Sequence, residues 1–200
     1  MINKAKTTLL ATAFALVAGG AWAECQTDIP KDELTDAQAV ELYACIEASL
    51  EESYKKSGRA EAEAFRSWPK ASTTPFISAT HGNRFVNHYI NDIGAEEYLK
   101  YADEGVDMPV GSISAKESFT ISKKNGKVRR GPLFLMEKMA AGTFPETADW
   151  KYTVILPNGK IMAETGGEKG KKVKFCHDCH EAVVDGQDAM FYPDEDYRIN

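Results

Sequence analysis

The feature that most constrains this chain lies near its carboxyl end. Two cysteines, Cys176 and Cys179, are separated by two residues, and His180 follows directly. This C-x-x-C-H spacing is the attachment motif of a c-type haem. It brings two thiols to the vinyl groups on one edge of the macrocycle and places the adjacent imidazole under the iron as its axial ligand. The motif therefore predicts one covalently attached haem c whose iron is bound by His180.

Two other interpretations of the cysteine pair are open. A redox-active C-x-x-C pair is expected to open a helix after a strand, in a βαβ unit near the start of a domain. A structural zinc site requires a second pair of ligands. His177 and His180 supply such a pair on paper, but four ligands within residues 176–180 do not close a tetrahedron. Haem attachment is the better interpretation.

The amino terminus has the pattern of a secretory signal. Lys4 and Lys6 form a basic start, residues 9–20 are a short apolar run, and Ala21-Trp22-Ala23 is an A-x-A cleavage site. The apolar run is too short to span a bilayer as a stable helix. We therefore predict a signal peptide over residues 1–23, cleaved after Ala23, and a periplasmic protein without a membrane anchor.

Charge and length limit the partners and the number of domains. Removal of the predicted signal takes away two lysines and no acidic residue, so the net charge changes from −6 to −8. An acidic surface argues against nucleic acid and anionic membranes as partners, and it is compatible with a basic redox partner. The mature length suits one core. We divide it into an N-terminal helical segment, residues 24–75, and a haem domain, residues 76–200.

A helix is predicted after Thr35, which forms a capping box with Gln38. Apolar residues then recur every three or four positions and predict a face packed in the core, before Gly58 ends the helix. Cys25 and Cys45 remain once the haem pair is assigned. In an oxidising compartment they are predicted to form a disulfide that stabilises the fold by about 3 kcal/mol. Two free structural thiols are the alternative.

Alternation of apolar and polar residues predicts the strands. Residues 84–90 form one strand, a short helix covers residues 95–101, and residues 112–122 alternate strictly. The predicted hairpin at Asn125-Gly126 leads to a partner strand over residues 127–139. Two more strands are predicted at residues 149–156 and 160–164.

A two-residue turn in this hairpin pairs Lys116 with Leu135 and makes Glu137 a diagonal neighbour, whereas a bulge shifts that register. The sequence thus predicts an α+β fold, an antiparallel β-sheet domain with an N-terminal helix and a C-terminal haem-binding helical segment. Small helical electron-transfer cytochromes carry the haem motif near their start. Four-helix-bundle cytochromes carry it near their end, but they lack this much alternation.

A series of short motifs runs in a fixed order through the strand-rich part of the chain. They are His81-Gly82, Tyr89-Ile90-Asn91, Met108-Pro109-Val110-Gly111, Lys116-Glu117, Gly131-Pro132-Leu133-Phe134, Asp149-Trp150-Lys151-Tyr152 and the final C-x-x-C-H. Over roughly residues 81–193 the sequence resembles cytochrome P-460 and its relative cytochrome c′-β. The resemblance implies a dimeric periplasmic protein with one five-coordinate haem on an antiparallel sheet. Some members oxidise hydroxylamine, and the c′-β type binds nitric oxide and related gases.

The resemblance also assigns a role to Lys116. In hydroxylamine-oxidising members a lysine of the central strand is covalently linked to the macrocycle edge, and Lys116 stands where that lysine would stand. The alternative is a lysine solvated on the polar face of a strand. Glu117 and Glu137 are candidates for relaying protons from a bound nitrogen ligand. Alternatively, the two carboxylates are solvated or form ion pairs with Lys138 or Lys116.

Other residues are weaker candidates for the site. Arg84, His81 and His88 are possible distal residues, although His81 beside Gly82 is equally a turn residue. Phe119 and Phe134 either cap the distal face of the haem with apolar bulk or are ordinary residues of the sheet core. Met162 or Met190 is a candidate for a sixth ligand of the iron. His177, an intervening residue of the motif, is predicted to be exposed.

Three functions follow from these features. The first is a hydroxylamine-oxidising enzyme that passes electrons to a soluble redox partner. The second is a protein that binds a small nitrogen oxide such as nitric oxide without turnover. The third is an electron carrier with two axial ligands. The lysine favours the first two, and the lack of a well-placed downstream methionine weakens the third.

Overall fold

The computed structural model describes residues 25–199. The predicted signal peptide, residues 1–23, lies outside the described residues. Within residues 25–199, no helix has the length and apolar character needed to cross a membrane.

In the described residues the core of the fold is a six-stranded antiparallel sheet whose strands are hydrogen-bonded in sequence order. This arrangement, with helices before and after the sheet, confirms the predicted α+β fold. The first strand has only three residues and no alternation from which to predict it. The strands are β1 (Phe76–Ser78), β2 (Arg84–Ile90), β3 (Ile113–Ile121), β4 (Val128–Lys138), β5 (Trp150–Ile155) and β6 (Ile161–Glu164).

The helices begin where the sequence supplies caps. The predicted capping box is present, because the Thr35 N–H donates to Gln38 Oε1 at 2.9 Å and the Gln38 N–H donates to Thr35 Oγ1 at 3.3 Å. Asn91 caps the third helix by accepting from the Gly94 N–H at 3.1 Å, so this helix begins three residues before the predicted start. The helices are α1 (Asp36–Lys55), α2 (Ala60–Ala64), which was not predicted, α3 (Asp92–Tyr98), α4 (Lys174–His180) and α5 (Val184–Gln187).

Helix α1 covers one face of the sheet. Its predicted apolar stripe is buried, and Leu50 and Tyr54 have no exposed surface. The facing sheet residues include Ala115, Phe119 and Leu133. Burial of each such large side chain stabilises the fold by about 1.5–3 kcal/mol. These residues and α1 form the first core, which covers one of the two faces of β3.

The second face of the sheet packs against α3 and the carboxy-terminal segment, residues 174–199. Large side chains from both sides form this second core, among them Tyr98, Met136 and Trp150. Before the haem motif the chain forms a 3-10 turn, Gly170–Val173, that continues into α4. The haem motif therefore lies against the face opposite α1.

The predicted pairing of Lys116 with Leu135 is wrong. Lys116 pairs with Phe134. The hairpin loop contains residues 123–126, because Ser122 pairs with Lys127, and a bulge follows between Glu117 and Phe119. The four-residue loop and the bulge together move the register by one position. As a result Phe134 takes the same face as Lys116, and Glu137 takes the other.

Candidate functional site

A cavity of about 770 Å³ lies between the second face of the sheet and the carboxy-terminal segment. Lys116 and Phe134 line it from the sheet, and Cys176, Cys179 and His180 line it from α4. Cavities that bind small molecules and cofactors occupy roughly 300–1,000 Å³. This cavity is large enough for an extended ligand.

Helix α4 places the three residues of the motif on one side. Positions i, i+3 and i+4 of a helix share a face, so Cys176, Cys179 and His180 all reach the same cavity. Cys176 is half-buried and Cys179 is exposed, and both are free thiols. His180 is buried. The motif therefore presents two thiols and one imidazole to a single ligand.

A backbone carbonyl orients the imidazole of His180. Its Nδ1 lies 2.6 Å from the carbonyl oxygen of Ala189. Because a carbonyl only accepts, Nδ1 carries the proton and Nε2 keeps a lone pair, as in histidines that bind metals. Burial, and then the nearby Lys116, lower the pKa of His180 to about 4. The ring is thus a neutral ligand at physiological pH.

The residue that carries this carbonyl is held in an unusual conformation. Asp188 and Ala189 are consecutive residues in the left-handed region, with φ of 45° and 64°. The Asp188 carboxylate accepts from the Met108 N–H at 3.0 Å and from Lys138 Nζ at 2.6 Å. It also accepts from Trp150 Nε1 at 3.2 Å. These donors hold the turn that orients His180.

Cys176 differs from a redox-active cysteine in the pKa of its thiol. Burial, and then the neighbouring Cys179, raise the pKa of the Cys176 thiol to about 12. Redox-active cysteines have lowered pKa values, because the thiolate is the reactive form. The environment of Cys176 therefore does not favour disulfide exchange.

Lys116 is buried in the cavity wall. It is 8 % exposed, and no residue in the described part of the chain pairs with its amine. Burial lowers its pKa to about 8, so a fraction of the amine is neutral near neutral pH. The lysine is therefore not on a solvated face of the sheet.

Two polar atoms in the cavity wall have no partner. Arg84 Nε and the Tyr152 hydroxyl are buried without a hydrogen bond, and both residues line the cavity. Buried polar groups are nearly always satisfied, so these atoms mark places where a ligand supplies the partner. Apolar walls such as Phe134 suit a macrocycle, and Arg84 suits its anionic substituents. The residues present fit a haem.

The comparison with known protein families agrees with this site. The profile of the family described as Cytochrome P460 matches residues 62–192, which is more than half of the chain. The chain belongs to the cytochrome P460 family. Membership makes it a c-type cytochrome of that family and implies that it binds haem c. A search of curated proteins found no match.

Two acidic residues predicted as proton relays in this cytochrome P460 do not line the cavity. Glu117 lies on the α1 face, where its carboxylate accepts from the Tyr43 hydroxyl at 2.7 Å and pairs with Arg66. Glu137 lies on that same face and pairs with Lys151 at 2.8 Å. Strand geometry explains the separation, since consecutive side chains point to opposite faces. The structure therefore does not bring these carboxylates together with Lys116.

Two of the predicted distal residues, Arg84 and His81, do line the cavity. The ring of His81 lies 6.5 Å from that of His180, centroid to centroid. His88 lies deeper, where its Nε2 is 2.8 Å from the Ser114 hydroxyl. Of the three candidates, His81 and Arg84 are thus the ones within reach of a bound ligand.

The other candidates divide between cavity and core. Phe134 and Met162 line the cavity. Phe119 instead stacks on Phe85 in the first core, with ring centroids 4.9 Å apart. Met190 is buried in the second core.

The prediction that His177 is exposed is wrong. It is 9 % exposed, and its ring centroid lies 6.2 Å from that of Tyr152. As the first intervening residue of the motif it sits on the inner side of α4, where the helix meets β5.

Sequence reasoning did not find Ser78, Asp188 or the Ala189 carbonyl. Ser78 ends the three-residue β1 and binds His81, but so short a strand has no periodic signal. A backbone carbonyl leaves no trace in the side-chain sequence. For Asp188 the only available signal is an acidic residue near a haem motif, which is a weak one.

Proposed function

We propose that this protein is a periplasmic c-type cytochrome that oxidises hydroxylamine at a haem with an open distal side. The observation that carries the proposal is the position of Lys116. Its amine is buried, unpaired among the described residues, and in the same cavity as the C-x-x-C-H motif. A buried lysine without a partner is costly, so such a position is typical of a functional amine.

We propose a single haem, attached through thioether bonds to Cys176 and Cys179, with His180 as axial ligand. The whole sequence has four cysteines, and Cys25 and Cys45 form a disulfide. One pair therefore remains for attachment. The hydrogen bond from His180 Nδ1 to Ala189 supports ligation through Nε2.

When bound, the haem supplies an iron that accepts electrons from the substrate. Oxidation of hydroxylamine to nitric oxide releases three electrons and three protons, so the proposal includes a soluble electron acceptor. Lys116 is proposed to form a bond from Nζ to the macrocycle edge, at the expense of one N–H and one ring C–H. The two electrons and two protons lost in that step reduce a peroxide to water.

The location and the assembly are also part of the proposal. The predicted signal peptide and the periplasmic family support a periplasmic location. The family resemblance supports a homodimer, which sedimentation of the purified protein tests.

The test of the proposed function is a comparison of the wild type with Lys116→Leu. Tryptic peptides of the wild type should contain a haem that joins the motif peptide to the β3 peptide, and its ferrous Soret band should lie far to the red of an ordinary c-type haem. The variant should have an ordinary c-type spectrum and lose hydroxylamine oxidation, because the link that distorts the ring is gone.

Lys151→Leu is the matched control, since Lys151 lies on β5 of the same sheet and pairs with Glu137 on the other face. It should keep the wild-type spectrum and activity. An ordinary spectrum in the wild type would contradict the proposal.

A second candidate, a nitric oxide binding protein without turnover, is favoured by the apolar character of the cavity. Among the described residues its wall contains no buried carboxylate, since Glu117 and Glu137 lie on the other face and the lining residue Asp194 is exposed. This wall therefore offers no carboxylate to take a proton from a substrate, and the binding of nitric oxide needs none. If Lys116→Leu changes only the affinity for nitric oxide, this second function is the correct one.

A further inference from the structure

We infer that the exposed side of α4, together with the lysines just before it, docks a soluble one-electron carrier protein whose own surface is acidic. This docking surface rests on the proposed function in one respect, that electrons leave the protein from a haem attached to Cys176 and Cys179. The attachment motif by itself assigns neither the place where a partner binds nor the charge of that partner.

The chain carries a basic run directly before the haem motif. Residues 166–175 contain four lysines and one glutamate, a net charge of +3 in a protein whose net charge is −6. All four lysines are exposed, and together they form what we call the basic patch: Lys169, Lys171, Lys172 and Lys174. Of the four, Lys174 alone forms an ion pair within the described part of the chain, with Asp178. Most of the positive charge of the patch is therefore available to a partner.

Helical spacing places this charge beside the attachment cysteines. The 3-10 turn at Gly170–Val173 continues directly into α4. Positions i, i+3, i+4 and i+7 share one side of a helix, and here they are Lys172, Phe175, Cys176 and Cys179. Cys179 is exposed. A thioether bond to Cys179 therefore lies at the protein surface, on the same side as Lys172.

An exposed aromatic side chain lies at the same place. Phe175 is 53 % exposed, although it also lines the cavity. Phe191, from the carboxy-terminal segment, is likewise both exposed and part of the cavity wall. Docking surfaces combine an apolar centre, often aromatic, with a charged rim, and those of redox proteins are small. The mouth of the cavity has this composition on the side of α4.

Another part of the cavity wall carries the opposite charge. Asp194 lines the cavity and is exposed, as are Glu195 and Asp196 after it. These carboxylates follow Phe191 and do not belong to the helix that carries the cysteines. A partner that approaches the haem edge at Cys179 meets the lysines instead, so the complementary partner surface is acidic. The net charge of the whole chain alone would favour a basic partner.

The docked partner takes up a single electron. The ferrous haem becomes ferric, the redox centre of the partner is reduced by one electron, and no bond forms or breaks. Complementary charge raises the rate of such encounters by a factor of about 10 to 10³ at low salt. The basic patch is therefore expected to set how fast the electron leaves, and salt is expected to weaken its effect.

The first experiment follows the oxidation of the ferrous holoprotein, reduced with dithionite, by the anion ferricyanide. The wild-type rate should fall as salt is added, because the basic patch attracts the anion. Repulsion by the net negative charge predicts the reverse, so a rate that rises with salt would overturn the inference. This measurement needs no variant.

Two charge-reversal variants then locate the effect. The patch variant, Lys171→Glu with Lys172→Glu, should react with ferricyanide roughly tenfold more slowly at low salt. The loop variant, Lys123→Glu with Lys124→Glu, is the matched control, since it reverses two adjacent exposed lysines in the β3–β4 loop. Its rate should stay within about twofold of the wild type. Equal slowing in both variants would show that net charge governs the rate, against the inference.

Binding is measured separately, with both proteins oxidised so that no electron passes. Two probes are titrated at low salt, the acidic copper protein plastocyanin and the basic mitochondrial cytochrome c. Plastocyanin should bind roughly tenfold more tightly than cytochrome c, and the patch variant should lose this preference while the loop variant keeps it. Phe175→Ser should weaken plastocyanin binding and leave the ferricyanide rate within about twofold, because it removes apolar contact area and no charge.

Two further results would count against the docking surface. Tighter binding of cytochrome c than of plastocyanin by the wild type would overturn it. So would a patch variant that sediments as a monomer when the wild type is a dimer, since the lysines would then lie between two copies of this chain. A wild type that does not oxidise hydroxylamine contradicts the proposed function instead, and the ferricyanide and plastocyanin measurements still decide the docking surface.

Discussion

Glu117 is a carboxylate with no exposed surface. Its neighbours are Arg66, which pairs with it, and the Tyr43 hydroxyl. Glu47 on α1 and Tyr89 on β2 also lie close enough to influence the pKa values of these groups. Burial raises the pKa of Glu117 to about 7, against the opposing effect of Arg66. A group that takes up a proton this easily makes the stability of the protein depend on pH.

The contribution of Glu117 to the free energy of unfolding should fall as the pH rises from about 5 to about 8. In that range the folded protein holds a proton on Glu117 that the unfolded chain has lost, so the stabilisation is complete below pH ~4.5 and is lost above pH ~7. The decrease should be at most about 3 kcal/mol. Urea unfolding at several pH values measures it as the difference between the wild type and Glu117→Gln, which lacks this contribution.

Glu51→Gln is the control for this experiment. Glu51 also contacts Arg66, at 3.6 Å, but the hydrogen bond from Lys55 lowers its pKa, so it titrates below the range measured. The control should keep the wild-type slope. A Glu117→Gln variant with an unchanged slope would show that another group is responsible.

At the scale of single residues, the sequence predicts which face a side chain takes but not what covers that face. Strict alternation put Lys116 and Glu117 on opposite faces, and this is correct. It gave no means to see that α1 encloses Glu117 and that the carboxy-terminal segment encloses Lys116. Those partners are separated from β3 by more than fifty residues of sequence, and local patterns carry no information about them.

At the scale of elements, the amino-terminal segment links α1 to the β3–β4 hairpin. Cys25 is joined to Cys45 of α1, with 5.8 Å between the Cα atoms. The carbonyl of Cys25 also accepts from the Val128 N–H at 2.8 Å, at the start of β4. The disulfide therefore holds a helix, a terminal segment and a hairpin together on the face away from the cavity.

Replacement of both cysteines, Cys25→Ser with Cys45→Ser, should lower the free energy of unfolding by about 3 kcal/mol in the chain-entropy model. The haem spectrum should not change, because the bridge lies on the face opposite the cavity. Thermal unfolding and the absorption spectrum of the same samples test both statements. Rapid labelling of two thiols at these positions in the native, unreduced wild type would contradict the disulfide.

The register of the hairpin shows what alternation cannot predict about elements. The bulge opposite Ser118 depends on Gly131, where a Cβ atom would lie 2.8 Å from the Ser118 carbonyl oxygen. The Tyr54 hydroxyl of α1 donates to the Gly131 carbonyl at 2.7 Å. A close approach of this kind depends on tertiary packing, so the sequence predicted both strands and the place of the hairpin but not the loop length or the one-residue shift.

At the scale of the whole molecule, one sheet separates two environments. The α1 face is a closed core, and the other face, enclosed by the carboxy-terminal segment, contains the cavity. The C-x-x-C-H motif predicts where a haem would be attached, because the attachment chemistry is local. The connection between the segment and the sheet was not predicted, because it depends on Asp188, which receives hydrogen bonds from three parts of the chain.

Asp188→Ala should therefore affect both stability and the haem. Without the carboxylate, Lys138 is left partly buried with the Ala148 carbonyl, at 3.2 Å, as its hydrogen-bond partner and the Trp150 ring at 5.2 Å from its amine. Loss of one member of a buried ion pair costs roughly 3–5 kcal/mol. Adding Lys138→Met should recover part of this loss, since the unpaired charge is then removed.

The turn that carries the Ala189 carbonyl should loosen in the same variant. A weaker hydrogen bond from His180 Nδ1 makes the imidazole a less basic ligand, so the reduction potential should rise. Asp178→Ala is the matched control, because Asp178 pairs with Lys174 on the exposed side of α4. This substitution should lower the free energy of unfolding by less than about 1 kcal/mol and leave the reduction potential unchanged. A redox titration and thermal unfolding of the two variants test this connection. If Asp188→Ala loses stability while its potential stays at the wild-type value, the turn supports the fold without tuning the axial ligand.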